Sequence, residues 1–292
     1  MSRPSALACP DSLKAVLPAR EAAAALRDGF AAAGVACETL PLADGGEGTT
    51  AALRERLPDD VAVVEAASAI PFAPGAVDVG AASSRPLGEA LARVRASHLY
   101  VGLGGTANMD AGAGLLDVLR ELPCPTTVLC DVATTLYDAP RLYGPQKGVT
   151  PEQVASLESA FRADERLAPF ASLPGSGAAG GLGAALASLG AKLVPGAPAI
   201  LDLVGFDASA YSLVVTGEGR VDATTAFGKA PGEVARRCAA AGVPCVVFGG
   251  LVTEPLPPPA ETVALSGEPA RAREDLAELG RSLGLRLLDA AR

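Results

Sequence analysis

The stretch Tyr211-Ser-Leu-Val-Val-Thr-Gly-Glu-Gly-Arg-Val-Asp222 decides how this chain is read. Its first half, through Val215, is short, apolar and rich in β-branched residues, the pattern of a buried strand. Its second half sets Glu218, Arg220 and Asp222 among glycines, and Gly228-Lys-Ala-Pro231 follows closely. That half reads as a loop at the carboxyl end of a parallel strand, where open α/β sheets take their ligands. Glycines there let the backbone come close to a ligand. Acids and bases together on such a loop point to phosphoryl transfer; a polar turn with solvated charges is the competing reading.

Outward from this stretch, strand and helix signals alternate, which predicts an α/β architecture. Strands are expected over residues 6–9, 35–42, 61–64, 99–101, 127–130 and 243–248, with the strand at Tyr211 ending at Val215. Helices are expected over 19–33, 49–56, 110–119, 150–162 and 271–283, and one opening in the glycine-rich run after Pro174. Thr150 is placed to cap its helix, with Pro151 in the first turn. A loose Pro-, Gly- and Ala-rich stretch from Ile70 to Ser84 and a second break between Asp202 and Ala210 place domain boundaries that part the chain into 1–75, 76–205 and 206–292.

The chain has 292 residues, 49% of them hydrophobic but only 4% aromatic, so its core must be built mainly from Ala, Leu and Val. A net charge of -9 without a basic block argues against nucleic acid or an anionic membrane as partner. No apolar run reaches the length of a membrane span. Six scattered cysteines without a Cys-x-x-Cys pair predict reduced thiols and a cytoplasmic protein. His98 is the only histidine and abuts a strand, so a histidine metal cluster and a Ser-His-Asp triad are both excluded in favour of a structural role.

Six glycine-rich polar segments stand at strand ends or helix starts. In Pro10-Asp-Ser-Leu-Lys14, Asp11, Ser12 and Lys14 suit a metal or a phosphate, though an Asp/Ser turn capping the next helix would use the same residues. Asp44-Gly-Gly-Glu-Gly-Thr49 offers Asp44 and Glu47 as magnesium ligands or proton acceptors, with Gly45 and Gly46 allowing close approach. Gly102-Leu-Gly-Gly-Thr-Ala-Asn-Met-Asp110 presents backbone N–H groups and Thr106 to an anion, with Asp110 either an acid or a helix cap. Lys147 in Gly144-Pro-Gln-Lys-Gly148 can reach a phosphate or lie in solvent. Gly175-Ser-Gly-Ala-Ala-Gly180 spells a dinucleotide fingerprint, but Phe170–Pro174 is a poor strand, so that reading is rejected. No P-loop motif occurs.

These segments, in this order from Pro10 to about Gly250, resemble the bacterial type-I glycerate kinases, also called glycerate 2-kinases. The resemblance implies two α/β domains, one Rossmann- or flavodoxin-like and built from both chain ends, the other inserted in it. It implies ATP-dependent phosphorylation of D-glycerate, mostly to 2-phosphoglycerate, in the cleft between the domains. On this reading Asp44, Asp110, Lys14 and Lys229 are catalytic. Ser12, Gly45, Gly46, Gly104, Gly105, Thr106, Lys147, Gly217 and Arg220 bind the acid or ATP, with Arg220 clamping the carboxylate. Glu47, Glu218 and Asp222 hold Mg2+. A homodimer is an expectation for the assembly.

The chain departs from the family pattern at Ala15, where a Gly is usual, and at Met109, which replaces an amide. It departs again at Thr224, which replaces a Gln, and after Asp131, where an Asn-Pro loop is shortened to Val132-Ala-Thr-Thr-Leu-Tyr-Asp138. Met109 and the shortened loop motivate the alternatives of a non-catalytic relative that senses a small acid or a nucleotide, or of a kinase for another small hydroxy acid.

Overall fold

Short β-branched runs become parallel strands wherever helices can cover both faces. The computed structural model describes residues 3–72, 82–226 and 228–292. Its strands are β1 (Ser5–Ala8), β2 (Ala36–Thr39), β3 (Val61–Glu65), β4 (His98–Gly102), β5 (Thr126–Cys130), β6 (Lys192–Pro195), β7 (Leu213–Val221), β8 (Cys245–Val252) and β9 (Glu261–Ala264). They form two sheets, β2-β1-β7-β8-β9 and β3-β4-β5-β6, and every pairing is parallel.

The chain divides into two units, Met1–Ala43 with Ile200–Arg292, and Asp44–Ala199. The domain change expected at 75/76 lies outside the described residues. The chain has already left the first unit after Ala43, because β3 pairs with β4 and not with β1 or β2. The return to the first unit falls at Ala199/Ile200, within the helix Gly196–Leu203, and not at 205/206.

Counted within the first unit alone, its strand order is 2-1-3-4-5, the flavodoxin-like doubly wound arrangement. The order reverses between β1 and β7, which creates a crevice beyond their carboxyl ends. The helices Ala19–Ala32 and Ala272–Ala290 cover this sheet and share a core with Leu26, Phe30, Val215, Phe248 and Leu276. The second unit has its own core, built on Leu99, Val101, Leu115, Val128, Phe161 and Leu186. Thr150 does cap the helix Pro151–Ala163, in a reciprocal box with Gln153. His98 shares a hydrogen bond of 3.1 Å with Thr127 on the neighbouring strand, a structural role. Among the described residues no helix is long and apolar enough to cross a membrane.

Candidate active site

In the first unit the decisive stretch is mostly strand. β7 does not stop at Val215 but stays paired with β8 to the register Val221–Val252. Gly217, expected to bind ligand, is there for packing: a Cβ would stand 2.6 Å from the Phe248 ring and 2.3 Å from its carbonyl oxygen. Its own carbonyl accepts the Asp11 N–H at 2.9 Å, which ties the segment after β1 to β7. Gly219 lies against the backbone of Leu13 and Lys14. The crevice at the strand-order reversal is thus bordered by Ser12, the exposed Lys14, and the end of β7.

Glu218 is buried at that end, where it accepts hydrogen bonds from the Thr225 hydroxyl at 2.8 Å and Lys229 Nζ at 3.1 Å. Asp222 takes the Thr224 N–H and hydroxyl, and lies 3.4 Å from Arg220 Nε and 4.0 Å from Lys229 Nζ. The Thr224 hydroxyl, and after it the two cations, hold the Asp222 carboxyl below its ordinary value. Glu218 and Asp222 therefore already neutralise side-chain cations. Glu47, in the other unit, is exposed. Among the described residues no group of three acids, histidines or cysteines forms a metal centre. Of the three expected magnesium ligands, Glu218 and Asp222 lie together at the end of β7, each near Lys229, and Glu47 belongs to the other unit. Arg220 itself is largely exposed, 63% by side chain.

In the second unit, loops meet beyond the carboxyl ends of β4 and β5. The Gly104 N–H bonds the Gly45 carbonyl at 3.1 Å. Gly104 has no room for a side chain: a Cβ would stand 2.6 Å from Gly46 Cα and 3.1 Å from Asp131 Oδ2. Asp44 Oδ1 accepts the Gly46 N–H at 3.1 Å and so sets this turn. The sequence-predicted Asp44, Gly45, Gly46 and Gly104 are thereby brought against Asp131.

Next to them lies a cavity of about 200 Å³, lined among others by Gly105, Thr106, Asp131, Tyr143 and Lys147. Lys147 donates from Nζ to the Asn108 carbonyl at 2.9 Å. Burial pushes its ammonium down to about 8, against the pull of Asp131 and then Asp110. The Thr106 hydroxyl is buried and has no hydrogen-bond partner among the described residues.

Asp110 is not placed as a base. Its two oxygens accept from Ser84 N and Oγ at 2.7 and 2.8 Å, from Asn108 Nδ2 at 3.1 Å, and from the N–H groups of Gly112 and Gly114. It pins the turn ahead of the helix Ala113–Val118, whose N-cap residue is Gly112. The glycine run after Pro174 likewise packs: Gly180 fits because a Cβ would stand 2.2 Å from the Asn108 carbonyl oxygen. A 3-10 turn at Ala168–Phe170, and no strand, comes before that run. Met109 is buried with Val149, Val154 and Leu157, away from the cavity lining. Sequence reasoning left out Asp131, Tyr143 and Gln146 as site residues; the only signal was the position of Asp131 at a strand end.

The glycerate kinase family model matches residues 6–61 and 120–262. A glycerate kinase of Halalkalibacterium halodurans is 30% identical over 82% of this chain and 84% of its own length. The glycerate 2-kinase of Escherichia coli K12 is 29% identical over 84% of each. A solved Salmonella typhimurium LT2 structure that carries the name glycerate kinase 2 superposes with a TM-score of 0.79 at 27% identity, covering 99% of this chain and all of the other. With the paired parallel sheets and their glycine-hinged strand ends, these matches show that the chain belongs to the glycerate kinase family and is a kinase.

Proposed function

We propose that the protein transfers the γ-phosphoryl group of ATP to D-glycerate and that the product is 2-phosphoglycerate. The observation that carries this reading is the gathering of Asp44, Gly104, Thr106, Asp131 and Lys147 at the carboxyl ends of β4 and β5 in a member of this family. The name of the Escherichia coli relative supports the 2-position. Phosphoryl transfer asks for positioning and charge neutralisation more than for covalent chemistry. Lys14, Lys229 and the backbone around Ser12 border a switch-point crevice, the usual place for phosphates in a doubly wound sheet. We assign them to the nucleotide.

Magnesium enters as part of the substrate MgATP, since that ion ordinarily keeps its waters and leans on phosphates and one or two carboxylates. The free, mostly buried thiols suit a cytoplasmic enzyme. The packing of Met109 in the core removes one motive for the sensor reading.

The test is ADP release from MgATP on addition of D-glycerate, with the phosphorylated position identified by phosphorus NMR. Formation of 2-phosphoglycerate is the expected result. Binding of both ligands without ADP release would favour the sensor. The variant Lys14→Ala, at an exposed position that the fold does not need, is expected to raise KM for ATP and leave that for D-glycerate in place.

A further inference from the structure

We propose that the cavity beyond β4 and β5 is the acceptor pocket, in which Lys147 takes the carboxylate of the hydroxy acid, Thr106 bonds a hydroxyl, and Asp131 accepts the proton of the hydroxyl that is phosphorylated. This assignment rests on the kinase reading above and goes beyond it by separating acceptor from nucleotide.

Size is the first argument. Pockets for drug-sized ligands run from about 300 to 1,000 Å³. At about 200 Å³ this cavity lies below that range, a size that suits a three-carbon acid.

Charge is the second. Among the described lining residues Lys147 is the one cation and Asp131 the one carboxylate. A monoanionic acid needs one cation to hold it, and an alcohol to be phosphorylated needs one proton acceptor. The lining supplies one of each. A triphosphate would ask for several cations, and the cavity does not offer them.

Thr106 is the third. Its hydroxyl is buried, in a residue only 3% exposed, and has no partner among the described residues. Most buried polar groups are paired, so an orphaned hydroxyl on a residue that lines the cavity is open to a ligand atom. A polyol acid carries the hydroxyl that would complete it. Phe72, Leu103 and Val132 give the remaining wall an apolar surface for the carbon chain.

The step balances without another reactant. The substrate O–H bond breaks and its proton goes to the Asp131 carboxylate. The oxygen forms a bond to the γ-phosphorus, the bond from that phosphorus to the β,γ-bridging oxygen breaks, and ADP leaves with that electron pair. Asp131 then returns the proton to water.

Steady-state kinetics of wild type, Lys147→Met, Thr106→Val and Asp131→Asn, each with D-glycerate and ATP varied in turn, test the assignment. Calorimetric titration of each protein with D-glycerate alone accompanies them. Lys147→Met and Thr106→Val should each raise KM and Kd for D-glycerate by roughly tenfold or more, the scale of one lost hydrogen bond or charge pair, with KM for ATP held within about twofold. Thr106→Val should also melt at the same temperature as wild type or higher, because it removes an orphaned hydroxyl. Asp131→Asn should lower kcat by about 10²-fold or more and leave Kd for D-glycerate in place. A rise in KM for ATP with KM for D-glycerate unmoved would overturn the acceptor assignment while the kinase reading stands. A wild-type protein that binds D-glycerate nowhere and releases no ADP with it would overturn both.

Discussion

Two residues carry strain or charge that can be read out directly. Ala15 holds a φ of 61°, in the left-handed region that favours glycine. An L-residue there costs roughly 1–2 kcal/mol, part of which Gly gives back as lost chain entropy. Ala15→Gly should therefore stabilise the protein by about 0.5–1 kcal/mol, seen as a higher urea midpoint at unchanged slope. A lower midpoint would mean that the Ala15 methyl group has a packing role.

Lys147 titrates at about 8 because it is buried, with Asp131 and Asp110 acting the other way. Its folded value lies below the ordinary lysine value, so between these two values the unfolded chain binds more protons, and its contribution to stability rises with pH across that window. Its charge moves in the opposite sense and is lost as pH rises through 8. Since kcat/KM reports groups of the free enzyme, kcat/KM for D-glycerate should fall above pH 8 toward about tenfold per unit, and Lys147→Arg should flatten that limb. A flat wild-type profile to pH 9.5 would detach the charge of Lys147 from acceptor binding. Lys147 and Thr106, which line one cavity, stood out in the sequence because they sit in short glycine-flanked motifs. The hydrogen bonding of Asp110 was not legible, because its partner Ser84 lies 26 residues upstream.

At the scale of elements, the central strands and the edge strands β2 and β3 were legible, and the other two edges were not. β6 and β9 were missed, and both are four-residue edge strands whose end residues are exposed. Such strands carry little apolar signal, which also protects a sheet edge from pairing. β7 was taken too short because Gly-Glu-Gly looks like a turn, whereas Phe248 across the sheet requires the first of those glycines within a strand. The same economy of space governs the helix pair Ala19–Ala32 and Ala272–Ala290. A Cβ on Gly280 would stand 2.3 Å from the Leu26 carbonyl oxygen, and one on Gly29 would stand 2.1 Å from that of Ala277. These are backbone atoms and have no rotamer by which to yield. Gly280→Val should cost on the order of 2–3 kcal/mol of unfolding free energy by urea denaturation, the upper part of the overpacking range. A loss below about 0.5 kcal/mol would show that the two helices shift apart freely.

For the whole molecule, a unit built from both chain ends was implied by the family resemblance alone, and the place of the first crossing, after Ala43, had no local signal. Val61–Glu65 reads equally well as a strand of either sheet, and only its register with β4 assigns it. The result is two sheets with two separate hydrophobic cores, one built from both chain ends and one from the middle. Ligands assigned to different units should then protect different amides, because a ligand stabilises against opening the part of the fold that it binds. Hydrogen exchange measured with D-glycerate alone should slow at residues 103–106 and 144–148, where backbone N–H groups border the cavity. MgATP alone should slow exchange at residues 10–14 and 217–230, where the crevice between β1 and β7 opens. The two maps should overlap little, since the Gly45–Gly104 and Asp11–Gly217 backbone bonds each close within one unit. Protection by MgATP concentrated at 103–106 and 144–148 would reverse the division of labour between the sheets and place the nucleotide phosphates on Lys147.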